Sequence, residues 1–163
     1  MITTPVSVVR ANGEGEKRWF YGGGLHTWKA TSDETAGALL AFEDFVTQGK
    51  ATPLHCHAEA DEVVYVIEGE IIVHIDDAQR RLGPGGFSFA PRGVAHAFTV
   101  VSSSARILTV QTPGACQGFF SDASDPTDQT TAEGPVDFGR VRQAAQSTGA
   151  TEILGPPPFS AVD

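Results

Sequence analysis

Cysteine occurs only twice in the 163 residues, as Cys56 and Cys116. Two distant thiols exclude a disulfide framework and a zinc ribbon. Basic side chains are also few, 11 lysines and arginines against 20 acids. No basic stripe is present, so nucleic acid is not an expected partner. An acidic chain also gains nothing at an anionic membrane surface. No apolar run approaches the length of a membrane span. The N-terminal stretch MITTPVSVVRANGEGEKRW lacks the charged start and apolar run of a secretory signal. A cytoplasmic protein is therefore expected.

Turn-formers are plentiful, with 18 glycines and 10 prolines, which favours short strands joined by tight turns over long helices. Residues 1–36 read as N-terminal strands and a polar loop. GALLAFEDFV (37–46) has strand character, followed by strands near 63–67, 70–75, 79–82, 87–91, 96–101 and 105–113. Glu68-Gly69, Asp76-Asp77 and GPGG (83–86) supply the turns. This spacing predicts an all-β antiparallel sandwich or barrel. Residues 119–135 read as a loop. The period then changes: Phe138, Val141 and Ala145 share a helical face, with Asp137 as N-cap and Gly149 as stop. The final TEILGPPPFSAVD cannot continue a helix through three prolines and reads as an extended tail. A single domain is expected, with a core at 37–118 and a C-terminal part at 119–163. A chain of this length buries roughly two-thirds of its unfolded surface and needs no metal merely to fold.

The stretch TPLHCHAEADEVVYVIEGE (52–70) carries the chemistry. Strand side chains alternate, so His55 and His57 point to one face and Cys56 to the other. Two imidazoles on one face can meet a single ion. Glu62 has the opposite parity, so the intervening residues must bend if it is to join them; Glu62, Val64 and Val66 then share an inward face. In PRGVAHAF (91–98) a turn delivers His96, which shares its face with Phe98 and Val100. Three imidazoles and a carboxylate suit Fe, Mn, Ni, Co, Cu or Zn rather than a soft thiolate site. Asp61 and Glu59 are alternatives to Glu62. His74 on 70–75 is a candidate pocket residue, and Phe98 is the best candidate ring for lining a cavity. His26, beside a glycine turn, reads as structural. Trp19, Trp28, Phe119 and Phe120 are candidates to close an open end.

The full spacing is Gly49-x5-His55-x-His57-x4-Glu62-x6-Gly69, continued as Gly85-x5-Pro91-x-Gly93-x2-His96. It resembles the two-part motif of the cupin superfamily. The resemblance implies a single-domain jelly-roll barrel, here with a short C-terminal helix and an extended tail. It also implies one divalent metal per chain, held by His55, His57, Glu62 and His96, and a homodimer. Gly86 and Val100 stand where the family often has Asp and Asn; neither position is a ligand. WFYGGG near the start and TEILGPPP near the end are similar to small cupins grouped with quercetin-type (flavonol) dioxygenases.

That resemblance implies a metal-dependent dioxygenase acting on a small aromatic or enolisable hydroxy-ketone, with dioxygen as co-substrate. It also implies that Glu62 acts as catalytic base for the substrate hydroxyl. The same ligands would serve a redox-neutral cyclase, isomerase or lyase, with the ion polarising a carbonyl. A non-catalytic binding barrel is the third reading, since fold does not choose among these.

Overall fold

The structure is a computed structural model that describes residues 4–160. The first three and last three residues, which the sequence assigns to the N-terminal segment and the tail, lie outside the described residues. In chain order the strands are β1 (Lys17–Phe20), β2 (Gly24–Ala30), β3 (Leu40–Thr47), β4 (Leu54–Cys56), β5 (Asp61–Glu68), β6 (Ile71–Ile75), β7 (Ala78–Leu82), β8 (Phe87–Ala90), β9 (His96–Val100) and β10 (Ser104–Thr112). Then come α1 (Gln117–Asp122), β11 (Ser124–Pro126), α2 (Phe138–Thr148) and β12 (Glu152–Gly155).

These strands form two antiparallel sheets of a jelly-roll barrel, ordered β11-β1-β2-β3-β10-β5-β8 and β12-β4-β9-β6-β7. The alternation seen in the sequence sets which side chains face inward. On β10, Ala105, Ile107, Thr109 and Gln111 are buried, while the residues between them are half-buried. On β5, Glu62, Val64 and Val66 are the buried set. Gly69 turns β5 into β6 with φ +79°, and a Cβ there would overlap the Ser104 carbonyl oxygen, so only glycine fits.

Two apolar clusters fill the molecule. One joins both sheets through Val46, Val64, Val66, Ile71, Val73, Val100, Ala105 and Ile107. The other packs the helices onto β1–β3 and contains Phe20, Trp28, Leu40, Phe42, Phe119, Phe120 and Val141. Just before β5, Ala60 belongs to the helix-side cluster, whereas Val64 belongs to the barrel cluster. Glu62 therefore sits at the junction of the two.

α2 has the expected bounds. Asp137 accepts a hydrogen bond from the Arg140 backbone N–H, and Gly149 ends the helix in the left-handed region. Its buried residues are Val141, Ala144 and Ala145, whereas Phe138 is exposed. One segment differs from the sequence reading. Residues 119–135, expected as a loop, open with most of α1, anchored by buried Phe119 and Phe120, and then form β11. Six residues are too few for a helical period to declare itself, and it is tertiary packing that holds so short a helix. The start of the tail forms β12, which pairs with β4 at the edge of the smaller sheet. Its strand character comes from a partner nearly a hundred residues away, which no local pattern encodes.

Candidate metal centre

The site bridges the two sheets. His55 on β4 lies directly opposite His96 on β9 in register. Past the end of β4 the chain bends through Ala58 and Glu59, which resolves the parity mismatch and lets Glu62 enter from the larger sheet. The turn before β9 is tied to this bend: the Gly93 N–H donates to the His57 carbonyl oxygen at 2.8 Å. Arg92 donates to Asp61 from its backbone N–H at 2.8 Å and through its guanidinium. The second half of the motif thus holds the first in place. Asp61 is used in that tie and Glu59 is exposed, so neither joins the histidines.

His55, His57, Glu62 and His96 bring their donor atoms within 4.8 Å of one another. Each ring spends its Nδ1 elsewhere. His55 Nδ1 lies 2.8 Å from the Pro53 carbonyl oxygen and His96 Nδ1 lies 2.9 Å from that of Val94. His57 Nδ1 lies 3.1 Å from Thr151 Oγ1. A carbonyl can only accept, so in the neutral rings of His55 and His96 the proton resides on Nδ1 and the Nε2 lone pair is free. Fixing the far nitrogen of a ligating histidine is the usual second requirement of a metal site.

The charges agree. Burial, reinforced by His96 and His57, pulls His55 down to about 3, so it is a neutral ring at ordinary pH. Burial opposes a charge on Glu62, yet His57 and His96 hold its carboxyl well below the usual range. Burial also disfavours a charge on His96, but Glu62 beside it raises that ring above its ordinary value. His57 Nε2 is 3.1 Å from Glu62 Oε2 and His96 Nε2 is 3.3 Å from Glu62 Oε1. The second approach is not aligned as a hydrogen bond, and His96 Nε2 is a buried nitrogen without a partner. A buried ring nitrogen without a partner, among two other imidazoles and a carboxylate, fits a divalent ion, which would take the place of any proton there. The cluster could hold Fe, Mn, Ni, Co, Cu or Zn, and the donor set does not favour one of them.

Residues without a motif complete the surroundings. Gln111 on β10 faces Glu62 in register and donates from Nε2 to Glu62 Oε2 at 2.8 Å. Its signal was present in the sequence, a glutamine on the inward parity of an apolar strand. Thr151 arrives just before β12, which carries no such signal. Cys116 Sγ lies 3.5 Å from His57 Nδ1, and burial, with Glu62 nearby, pushes its thiol up to about 12. It is therefore a neutral neighbour rather than a thiolate ligand. Cys56 points the other way, toward Glu152.

A cavity opens beside the cluster. Its walls include Phe20, Phe42, Phe98, Phe119 and Phe120, with Phe138 and Val141 of α2 at its edge. Phe98 lines it, as does buried His26. His74 does not: it pairs in register with Ala97 on the outward face of β6, near Gln79 and Phe159. Trp19 and Trp28 are buried and do not line the cavity, whereas Phe119 and Phe120 do.

A family model described as "Cupin domain" matches residues 41–111. Quercetin 2,3-dioxygenase of Bacillus subtilis (strain 168) is 28% identical over 121 residues, covering 74% of this chain. The match spans 36% of that relative's own length. Among solved structures, KdgF from Halomonas sp. superposes with a TM-score of 0.60 at 21% identity, covering 66% of this chain and 94% of that one. An RmlC-like cupin from Shewanella frigidimarina NCIMB 400 gives a TM-score of 0.58 at 21% identity, covering 66% and 92%. At these identities the two structures speak for the fold alone.

Proposed function

We propose, from the match of residues 41–111 to the cupin domain and the likeness in sequence to a quercetin dioxygenase, that the chain is a metal-dependent dioxygenase for a small aromatic or enolisable hydroxy-ketone. The observation that carries the reading is a cluster of three imidazoles and one carboxylate, of which His55, His57 and Glu62 line a cavity walled by phenylalanine rings. A flat apolar substrate fits such walls, and stacking on aromatic rings orients it at little entropic cost. His55, His57, Glu62 and His96 would hold the ion, which when bound supplies Lewis acidity and a redox-active centre.

The chain's own residues do the rest. Phe98, on the same strand face as His96, would pack against the substrate ring. Glu62 would accept the substrate hydroxyl proton, with Gln111 holding its Oε2 and leaving Oε1 the freer oxygen. The apolar walls exclude bulk water, which strengthens every charge interaction inside.

Oligomeric state belongs to the same proposal. β8 is an edge strand, and Val63–Phe89 and Tyr65–Phe87 are cross-strand pairs on the outer sheet face. Tyr65, Phe87 and Phe89 are all exposed, and half-buried Leu108 and Val110 continue the patch. A second copy covering this face would form a homodimer. A cytoplasmic location completes the reading; both cysteines are free thiols, as a reducing compartment would keep them.

The test is elemental analysis followed by oxygen-electrode assays with flavonols and β-diketones. About one redox-capable ion per chain and substrate-dependent oxygen uptake are expected. His55→Ala/His57→Ala should lose both the metal and the uptake while keeping the β-rich circular dichroism spectrum. Full turnover without dioxygen would replace this reading with the redox-neutral cyclase, isomerase or lyase. Full metal retention in the double variant would show that the ion binds elsewhere.

A further inference from the structure

The same cavity contains a second polar group that the motif does not specify. Lys50 follows the motif glycine Gly49, in the loop between β3 and β4. Its backbone is clamped to β9: the Val100 N–H and Thr99 Oγ1 both donate to the Lys50 carbonyl oxygen, at 2.9 and 3.0 Å. The side chain runs inward and is 6% exposed. Its ammonium sits 5.2 Å from the Phe20 ring centre and 5.8 Å from that of Phe98. Among the described residues its charged neighbour is Asp44, with Nζ 3.8 Å from Oδ2, which is too long for a hydrogen bond.

Asp44 is equally enclosed, at 4% exposure. His26 stands 3.5 Å from its Oδ1, stacked between Phe20 and Phe42. Space has been left for this carboxylate: a Cβ on Gly24 would overlap Asp44 Oδ1. A lysine kept only for structure would be expected to close on its carboxylate. Here an ammonium with three donors faces two aromatic rings and the cavity, and forms no hydrogen bond among the described residues. Burial lowers the lysine, and Asp44 beside it opposes that shift without cancelling it.

We propose that Lys50, with Asp44 and His26 behind it, is an anion anchor in the wall of the substrate cavity, selecting substrates with a carboxylate or phenolate separate from the metal-binding oxygens. Phe20 and Phe98 beside the ammonium give the flat middle of such a molecule its seat. The inference rests on the reading that this cavity is the substrate site, but it needs no particular reaction there.

The experiment is calorimetric binding of benzoate and of neutral, nearly isosteric benzamide to EDTA-stripped protein. Benzoate should bind about tenfold more tightly than benzamide to the EDTA-stripped protein, where no ion competes with Lys50 for the carboxylate. Lys50→Met should abolish that preference and leave benzamide binding unchanged. Because that variant strands a buried carboxylate, Asp44→Asn/Lys50→Met is measured beside it and should behave the same way. Equal binding of the two ligands, no benzoate binding at millimolar concentration, or a preference surviving in the double variant would overturn the assignment. None of these readouts requires dioxygen or turnover. Loss of the oxygenase reading would therefore leave a Lys50-dependent preference intact, and oxygenase activity without that preference would overturn the anchor alone.

Discussion

Gln111 donates from Nε2 to Glu62 Oε2 at 2.8 Å, from the position directly across the β10–β5 ladder. The same Nε2 lies 3.2 Å from His57 Nε2, so one amide sits between two of the four donors. Its other end, Oε1, is buried without a partner, which is an energetic cost to the fold. Gln111 is therefore placed for the site and not for stability. Gln111→Leu should weaken metal affinity by about 10–100-fold, the usual effect of removing an outer partner of a ligand. The melting temperature of the metal-free protein should stay nearly unchanged. A chelator-competition titration and a thermal scan measure the two; unchanged affinity would remove Gln111 from the site.

Thr151 has a narrower task. Its hydroxyl faces His57 Nδ1, and with it in place Nε2 is directed at Glu62. Thr151→Val keeps the volume and removes the hydroxyl that faces Nδ1. Metal affinity should fall about tenfold, and Thr151→Ser should restore it. A loss that serine does not rescue would point to packing around β12 instead.

The outer aromatic face gives a prediction about assembly. Wild-type protein should sediment as a dimer at micromolar concentration. Phe87→Lys/Phe89→Lys should sediment as a monomer and retain its metal, because these side chains point away from the cavity. A monomeric wild type would remove the homodimer from the proposal.

Acid stability depends on an ion pair far from the metal cluster. Arg10 Nη2 donates to Glu34 Oε1 at 2.6 Å, and Thr31 adds its backbone N–H and hydroxyl to Oε2. These contacts, the Arg10 bond first, hold the Glu34 carboxyl at about 2 against an ordinary 4.5. The folded value is depressed, so its stabilisation is complete above about 4.5 and is lost as pH falls toward 2. Allowing for solvent around a side chain 25% exposed, that contribution is about 1–2 kcal/mol. Urea titrations of wild type and Glu34→Gln should differ by this amount at pH 7 and converge near pH 2. A gap that persists unchanged at pH 2 would show that the carboxylate charge is not its source.

Much of this molecule is determined by short-range pattern. Strand alternation alone put His55 and His57 on one face, aligned Glu62 with Val64 and Val66, and set His96 beside Phe98, because a side-chain period of two is a property of any extended chain. Asp137 and Gly149 mark the ends of α2 for an equally local reason, since caps satisfy backbone groups within a few residues. What the tertiary structure decided is which strands became neighbours. Gln111 meets Glu62 only because β10 lies beside β5. Thr151 meets His57 only because the tail pairs with β4, and Lys50 meets Asp44 and Phe98 only inside the closed barrel. His74 shows the same limit from the other side: its alternation was visible, but which face of β6 turned inward depended on the sheet packed against it. Periodicity specifies faces, whereas contacts between distant segments require loop closure and burial, and those are properties of the whole fold.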